Sequence, residues 1–127
     1  MIAHTGLAVG DYKKAKEFYI KALAPLGYQN NMEYGDAAGF MEGGHTSFWI
    51  SVNPKGVVPG HVAFEVRNKE QVDEFYKVAL AAGAKDNGAP GYRTEYWPGY
   101  YAAFVYDADG HNVEAVWFDY SKAEEKK

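Results

Sequence analysis

The chain has 127 residues, of which 47% are hydrophobic and 17% aromatic, so it carries enough apolar surface for one folded domain. Its formal net charge is -4, with acidic and basic residues interspersed, which predicts neither a nucleic acid nor a membrane as a partner. Because it contains no cysteine, disulfides and thiolate ligands are excluded, and the absence of a leader or a long apolar run predicts a cytoplasmic protein.

The first half of the chain predicts a β-α-β-β-β unit. An apolar strand at about 2–9 precedes a helix whose apolar residues recur at helical spacing, with Asp11 placed as its N-cap. The sequence Pro25-Leu26-Gly27 marks the end of that helix. Three further strands are predicted at about 28–34, 36–42 and 46–52.

The second half predicts the same order of elements. A strand at about 60–66 precedes a helix that begins after Asn68 and stops before Gly83. Three strands follow at about 84–87, 100–107 and 111–118, and Asp109-Gly110 is typical of a hairpin turn. The turn formers and aromatics of 88–99 interrupt this unit, and we interpret them as a lid or pocket wall.

The two halves are copies of one unit. Moving the first half along by 57 residues places His4 on His61 and gives eight identical residues in the 21 positions 4–24, more than chance provides. We therefore predict an α+β fold of two tandem β-α-β-β-β modules in one domain, 1–120. Its predicted parts are module one at 1–53, a linker at 54–59 and module two at 60–120, followed by a charged tail at 121–127.

The duplicated histidine is the strongest functional signal. Strand alternation places His4 and His61 on the face opposite the bulky apolar residues that a helix would cover. Glu114 stands between apolar neighbours in the last strand, where a carboxylate needs a partner. Two imidazoles and one carboxylate are the ligand set of non-haem iron and catalytic zinc sites. A structural, hydrogen-bonded role for each histidine is the alternative.

Three motifs in these segments resemble the vicinal oxygen chelate superfamily of glyoxalases, bleomycin resistance proteins and extradiol dioxygenases. They are His4-Thr-Gly-Leu-Ala-Val9, His61-Val-Ala-Phe64 and Tyr106-Asp-Ala-Asp-Gly-His-Asn-Val-Glu-Ala115. The resemblance implies a half-open mixed β-barrel with helices packed outside it. It also implies that His4, His61 and Glu114 hold a divalent metal, which could be Fe, Mn, Ni or Zn, and that a small bidentate oxygenated molecule binds there.

The resemblance leaves the reaction open among lyase, dioxygenase and thiol transferase. Glyoxalase I has a fourth ligand on the strand closing the first module, where this chain has Phe48 or Trp49. Glu42 or His45 could replace it by a shift of register, although both are typical of polar residues near a turn. The lysine and serines that hold a phosphonate in the thiol transferases have no evident counterparts here.

An aromatic segment before the last two strands is the candidate substrate pocket. We assign Tyr92, Arg93 and Trp49 to substrate binding, with Arg93 placed to pair with a carboxylate. Tyr96 and Tyr101 are candidate donors of a proton to a metal-bound oxygen. Ordinary packing or a dimer interface would explain the same aromatic composition.

Three expectations accompany this interpretation. The resemblance implies a homodimer. It leaves open whether the two histidines and the glutamate of one site come from one chain or from two. The alternative function is a non-catalytic protein that sequesters an aromatic drug or metabolite. Among the remaining polar residues, His111 is expected to be exposed in its hairpin, and Glu65 is a candidate partner for the site.

Overall fold

The computed structural model describes residues 1–124, and it contains eight strands in two runs of four, each with a helix after its first strand. The first run is β1 Thr5–Val9, α1 Tyr12–Leu23, β2 Gln29–Tyr34, β3 Ala37–Glu42 and β4 His45–Val52. The second run is β5 His61–Glu65, α2 Lys69–Ala81, β6 Lys85–Tyr92, β7 Tyr100–Tyr106 and β8 Asn112–Phe118. A single 3-10 turn, Ala24–Leu26, follows α1, and a short helix α3, Tyr120–Glu124, follows β8.

Each run forms a four-stranded mixed sheet, and the two sheets repeat one topology. The strand orders are β1-β4-β3-β2 and β5-β8-β7-β6, with the first pair parallel and the others antiparallel. The predicted α+β class with two tandem β-α-β-β-β modules is therefore confirmed. Over the described residues the sheets do not close into a barrel, as a half-open architecture requires.

Local sequence explains where the helices begin. The side chain of Asp11 accepts a hydrogen bond from the backbone N–H of Lys14, and that of Asn68 accepts one from Gln71. Both bonds satisfy donors that a helix N-terminus leaves unpaired, so the two predicted N-caps are present. Gly27 ends the 3-10 turn at φ 88°, a left-handed conformation that favours glycine.

Strand β6 differs from its predicted length. It continues to Tyr92 instead of ending near residue 87, so five of the twelve residues of the predicted insertion, 88–92, are strand, and 93–99 forms the connection to β7. Two register shifts, one on each side of Gly88, accommodate the glycines and Pro90 within the β6–β7 pairing. Residues 88–92 therefore extend the second sheet, and 93–99 form the loop that joins β6 to β7.

One hydrophobic core serves both modules. The helix-facing sides of the two sheets contribute to a single cluster, and α1 contacts α2. Phe48 of β4 packs edge to face against Phe64 of β5, with ring centroids 5.1 Å apart. Burial of apolar surface on these inner sides is the main stabilising contribution, and the opposite side of each sheet is left uncovered by helices.

His111 corrects one expectation, because it is buried and not exposed. Its Nδ1 accepts a hydrogen bond from the backbone N–H of Gly60 at 2.8 Å, so Nε2 carries the hydrogen and donates to the carbonyl of Ala8 at 2.7 Å. The imidazole thus links the β7–β8 hairpin to both β1 and the start of β5. A contact with residues so distant in the chain leaves no local sequence signal.

The chain end contains more structure than the frayed tail predicted for 121–127, because α3 extends through Glu124. The last three positions of that prediction, 125–127, lie outside the described residues. Within residues 1–124, none of the helices has the length and apolar character required to cross a membrane.

A buried hydrogen bond between the modules gives a stability test. The hydroxyl of Tyr19 in α1 donates to Asp107, and both side chains are buried. Burial raises the pKa of Tyr19 well above its ordinary value, so the phenol remains a donor. Tyr19→Phe should lower the free energy of unfolding by about 1–3 kcal/mol in urea titration, because one oxygen of Asp107, a carboxylate only 7% exposed, loses its donor.

The control for this variant is Tyr76→Phe, which removes a hydrogen bond to the exposed Asp86. Water can replace that donor, so we expect a loss below about 0.5 kcal/mol. Equal effects of the two substitutions would contradict the importance of the buried bond.

Candidate metal centre

The uncovered face of the second sheet carries the candidate centre. Strand pairing aligns Glu114 of β8 with Ala63 of β5 on one side and Phe104 of β7 on the other. Because side chains alternate along a strand, these residues share the face that the helices do not cover, and His61 lies on it as well. The strand parity predicted for His61 and Glu114 agrees with this arrangement.

His61 and Glu114 are in direct contact. The Nε2 atom of His61 lies 3.0 Å from Oε1 of Glu114, and the two side chains are 48% and 3% exposed. The second oxygen, Oε2, accepts a hydrogen bond from the hydroxyl of Tyr100. A carboxylate this deeply buried is thereby supplied with partners at both oxygens, as the cost of burying a charge requires.

The pair fits a divalent cation in its donor chemistry. The 3.0 Å between His61 Nε2 and Glu114 Oε1 is a hydrogen-bond distance in the absence of an ion, and it is also the separation of two ligand atoms at right angles about 2.1 Å from an octahedral metal ion. An imidazole nitrogen and a carboxylate oxygen suit iron, manganese, nickel and zinc. The exposed edge of His61 leaves the pair accessible from solvent.

The structure does not bring His4 to this pair. His4 is exposed and directly precedes β1, which is the edge strand of the first sheet. Among residues 1–124, no three His, Asp or Glu side chains form a group that could hold a metal ion. One chain therefore presents two of the three predicted ligands together and the third at a separate, exposed position.

Tyr100 is the residue of this centre that sequence reasoning missed. Burial, followed by the hydrogen bond to Glu114, raises the pKa of Tyr100, so its hydroxyl stays protonated and continues to donate. Its signal in the sequence was only its position in an aromatic segment. The register of the β7–β8 hairpin, which pairs Tyr100 with Phe118, determines that its side chain reaches the Glu114 face.

Tyr101 and Tyr92 lie on the opposite face of the sheet, which corrects where the sequence placed them. The hydroxyl of Tyr101 donates to Asp73 of α2, and the hydroxyl of Tyr92 donates to Asp119 at 2.8 Å. The two rings pack edge to face, 5.0 Å apart. Because neighbouring residues of a strand point to opposite sides, the presence of Tyr100 at Glu114 excludes Tyr101 from that position.

Arg93 lies on the Glu114 side of the sheet, where backbone carbonyls of its own hairpin bind its guanidinium. Its guanidinium donates to the carbonyls of Gly91 and Ala89 at 2.9 and 2.8 Å, and it covers the ring of Phe104. A side chain at Gly88 would displace the end of this guanidinium, 2.9 Å from a Cβ atom there, and the φ of 149° at this position also favours glycine. None of the ion pairs found in residues 1–124 involves Arg93.

The uncovered face of the first sheet carries Trp49. Its ring covers Gly39, where a Cβ would clash at 2.9 Å, and stacks on Tyr34 at 6.1 Å. Trp49 is thus on an open face, as its predicted role requires, but on the other sheet from Glu114.

The two candidates for a fourth ligand have other partners. Glu42 pairs with Arg67 at 3.0 Å, and His45 contacts the carbonyl of Ala3.

An open cleft of about 440 Å³ adjoins the candidate centre, and we call it the aromatic cleft. Tyr100 belongs to both, since it lines the cleft and binds Glu114. Tyr96, 63% exposed, lies there too, which agrees with its predicted place in the pocket but leaves its role untested. The lining residues are Glu65, Tyr96, Trp97, Tyr100, Phe118 and Tyr120.

The chain belongs to the glyoxalase/bleomycin resistance protein/dioxygenase superfamily. The family model matches residues 1–115, which include the first module, the second module as far as the middle of β8, and all three predicted ligands. This confirms the resemblance drawn from the sequence motifs. A search of curated proteins found no match to the chain.

Solved structures of the superfamily share the fold. A glyoxalase/bleomycin resistance protein from Albidiferax ferrireducens is 25% identical, with a TM-score of 0.81 and coverage of 91% of this chain and 97% of that one. A fosfomycin resistance protein from Listeria monocytogenes, complexed with Mn(II) and 1S,2S-dihydroxypropylphosphonic acid, is 19% identical (TM-score 0.70; coverage 99% and 96%). A lactoylglutathione lyase from Agrobacterium tumefaciens is 20% identical (TM-score 0.69; coverage 92% and 92%).

The Tyr100 to Glu114 hydrogen bond predicts a measurable loss of stability. In chelator-treated protein, Tyr100→Phe should lower the free energy of unfolding by about 1–3 kcal/mol, because Oε2 of the buried Glu114 loses its donor. Tyr96→Phe is the matched control, since this neighbouring hydroxyl is on a largely exposed ring. A Tyr100→Phe variant as stable as Tyr96→Phe in denaturant titration would contradict the assignment.

Proposed function

We propose that the protein is a metal-dependent enzyme that coordinates a small, bidentate oxygenated substrate. The contact between His61 and the buried Glu114, on an uncovered face beside an aromatic cleft, is the observation that carries this proposal. Structural histidines and glutamates also pair in protein interiors. Here, however, the imidazole is half exposed, which leaves the pair open to a cation and to substrate.

The residues of the chain have separate roles in this proposal. His61 and Glu114 hold the divalent ion, which when bound supplies Lewis-acid stabilisation of a developing oxyanion. Tyr100 occupies the second oxygen of Glu114 and keeps the carboxylate in one orientation, so that Oε1 faces His61. The aromatic cleft excludes water from one side of the substrate.

We further propose that His4 of a second copy completes the ligand set in a homodimer. His4 and His61 are both exposed; His61 begins β5 and His4 directly precedes β1, and the outer edge of each of these strands has no partner strand in the described chain. Edge strands of this kind are surfaces on which a second chain can pair. A two-fold dimer that joins the open face of one first sheet to that of the partner's second sheet would form two equivalent sites.

The reaction class and metal are narrower proposals. The candidate reaction classes are lyase, thiol transferase and dioxygenase, since the superfamily includes glyoxalases, resistance proteins and dioxygenases. Manganese, iron, nickel and zinc all suit the pair. We also propose that Arg93 binds an anionic group of the substrate. Its guanidinium lies near Tyr100, and none of the ion pairs among residues 1–124 includes it. A cytoplasmic location remains an expectation from the sequence.

Sequestration of an aromatic molecule without reaction is the second candidate. The aromatic cleft favours it, because exposed rings bind planar ligands without help from a metal. Ligand binding that is equally tight before and after chelation, with no turnover, would support this candidate over the enzyme.

Metal content tests the proposal. Protein purified without an affinity tag or chelator should contain close to one divalent ion per chain, and Glu114→Ala should lose it because one of the ligands is gone. Glu70→Ala is the control, since Glu70 is an exposed carboxylate in the first turn of α2 and its removal should leave the ion bound. Equal metal content in the two variants, or none in the native protein after titration, would contradict the site.

Mixing two inactive variants tests the contribution of the second copy. His4→Ala and Glu114→Ala should each lack metal, but heterodimers of the two contain one site in which all three ligands are intact. After co-refolding at equal amounts, about a quarter of the native metal content should return, because half of the dimers are mixed and each holds one intact site. No recovery in mixtures shown to exchange subunits would place all ligands in one chain.

A further inference from the structure

The rings of the aromatic cleft are arranged as walls around a space, and they do not form a flat stack. Tyr96 meets Tyr100 at 80° with centroids 5.3 Å apart, and Tyr100 meets Phe118 at 87° and 5.4 Å. Trp97 meets both Phe118 and Tyr120 at 74°. Successive rings are therefore nearly perpendicular, so the open cleft is bounded by aromatic surfaces of different orientation, and the face of an aromatic ring carries negative electrostatic potential.

The only charged residue among those that line the cleft is acidic. Glu65 is exposed at the end of β5, and none of the ion pairs within residues 1–124 includes it. Arg93 does not line the cleft, because the carbonyls of its own hairpin hold its guanidinium over Phe104. The ring faces and Glu65 therefore all favour positive charge.

We propose that the aromatic cleft binds a small organic cation of the quaternary ammonium type. Such a cation is weakly hydrated, so it exchanges water for ring faces at little cost, and Glu65 supplies the opposite charge. A volume of about 440 Å³ is within the range of small-molecule sites. An anion would meet unfavourable potential there, and a neutral molecule of the same shape would gain nothing from Glu65.

This inference is independent of the metal. Neither His61 nor Glu114 lines the cleft, and cation binding requires no ligand from a second copy. Where the enzymatic proposal also holds, Tyr100 links the two sites, so the cationic group of a substrate would bind beside the metal pair. Tests on chelator-treated protein therefore separate a failure of this inference from a failure of the metal site.

The first test compares choline with its neutral isostere 3,3-dimethylbutan-1-ol. Both are titrated into chelator-treated protein while the indole N–H signal of Trp97 is followed by NMR. Choline should shift this signal saturably and bind at least about fivefold more tightly than the neutral isostere, as the cation–π contribution requires. Equal affinities for the two compounds would overturn the inference. So would the absence of any shift of the Trp97 signal, which is the result expected if a second copy of the chain covered the cleft.

The second test uses substitutions to identify the charged residue and the ring that bind choline. Glu65→Gln should weaken choline binding about fivefold and leave the neutral isostere unaffected, whereas Glu70→Gln, an exposed carboxylate in the first turn of α2, should change neither. Tyr120→Leu should weaken choline binding by a similar factor, and Tyr34→Leu, at an exposed ring of the first sheet, should not. Choline binding that is unchanged by Glu65→Gln and Tyr120→Leu would contradict the cleft as the site.

Discussion

The buried carboxylate of Glu114 is the constraint on which the candidate site depends. A charged group only 3% exposed must have partners close to both oxygens, and the structure provides His61 at one and Tyr100 at the other. These partners come from β5 and β7, the two strands that flank β8. The strand order of the second sheet therefore determines which residues meet on its open face, because it places His61 and Tyr100 on either side of Glu114.

The core explains why this face is available. Both helices pack on the inner sides of the sheets, where α1 contacts α2 and the residues of the two modules form one cluster. His111 and the Tyr19 to Asp107 bond fix the β7–β8 hairpin to the first module. The inner side supplies stability, which leaves the outer sides free to carry polar and aromatic residues that a core would exclude.

Much of the fold was predictable from the sequence. The repeat and the period-two pattern of apolar residues gave the two modules, the strand faces of His61 and Glu114, and both N-caps. The family model over residues 1–115 confirms the membership indicated by the same motifs. These features are local or repeated, so one sequence is enough to reveal them.

The errors have a common physical origin in contacts between distant segments. Tyr101 was chosen over Tyr100 because the sequence does not reveal the register of β7 against β8, and a shift by one residue reverses every side chain. His111 was expected in solvent because its partners, Ala8 and Gly60, are remote in the chain. The length of β6 was underestimated because glycine and proline mark turns, whereas here bulges accommodate them within the strand.

The central claim is that a divalent cation binds at His61 and Glu114, and the imidazole signals of the four histidines test it most directly. Mn(II), which is paramagnetic, broadens signals close to it when added in substoichiometric amounts to uniformly 15N-labelled protein. We predict that the ring signals of His61, and of the His4 that a second copy contributes, broaden at the lowest additions of Mn(II), whereas those of the buried His111, held by Gly60 and Ala8, broaden only at higher additions. Broadening of His45 or His111 before His61, or equal and gradual broadening of all four, would contradict a metal centre at Glu114.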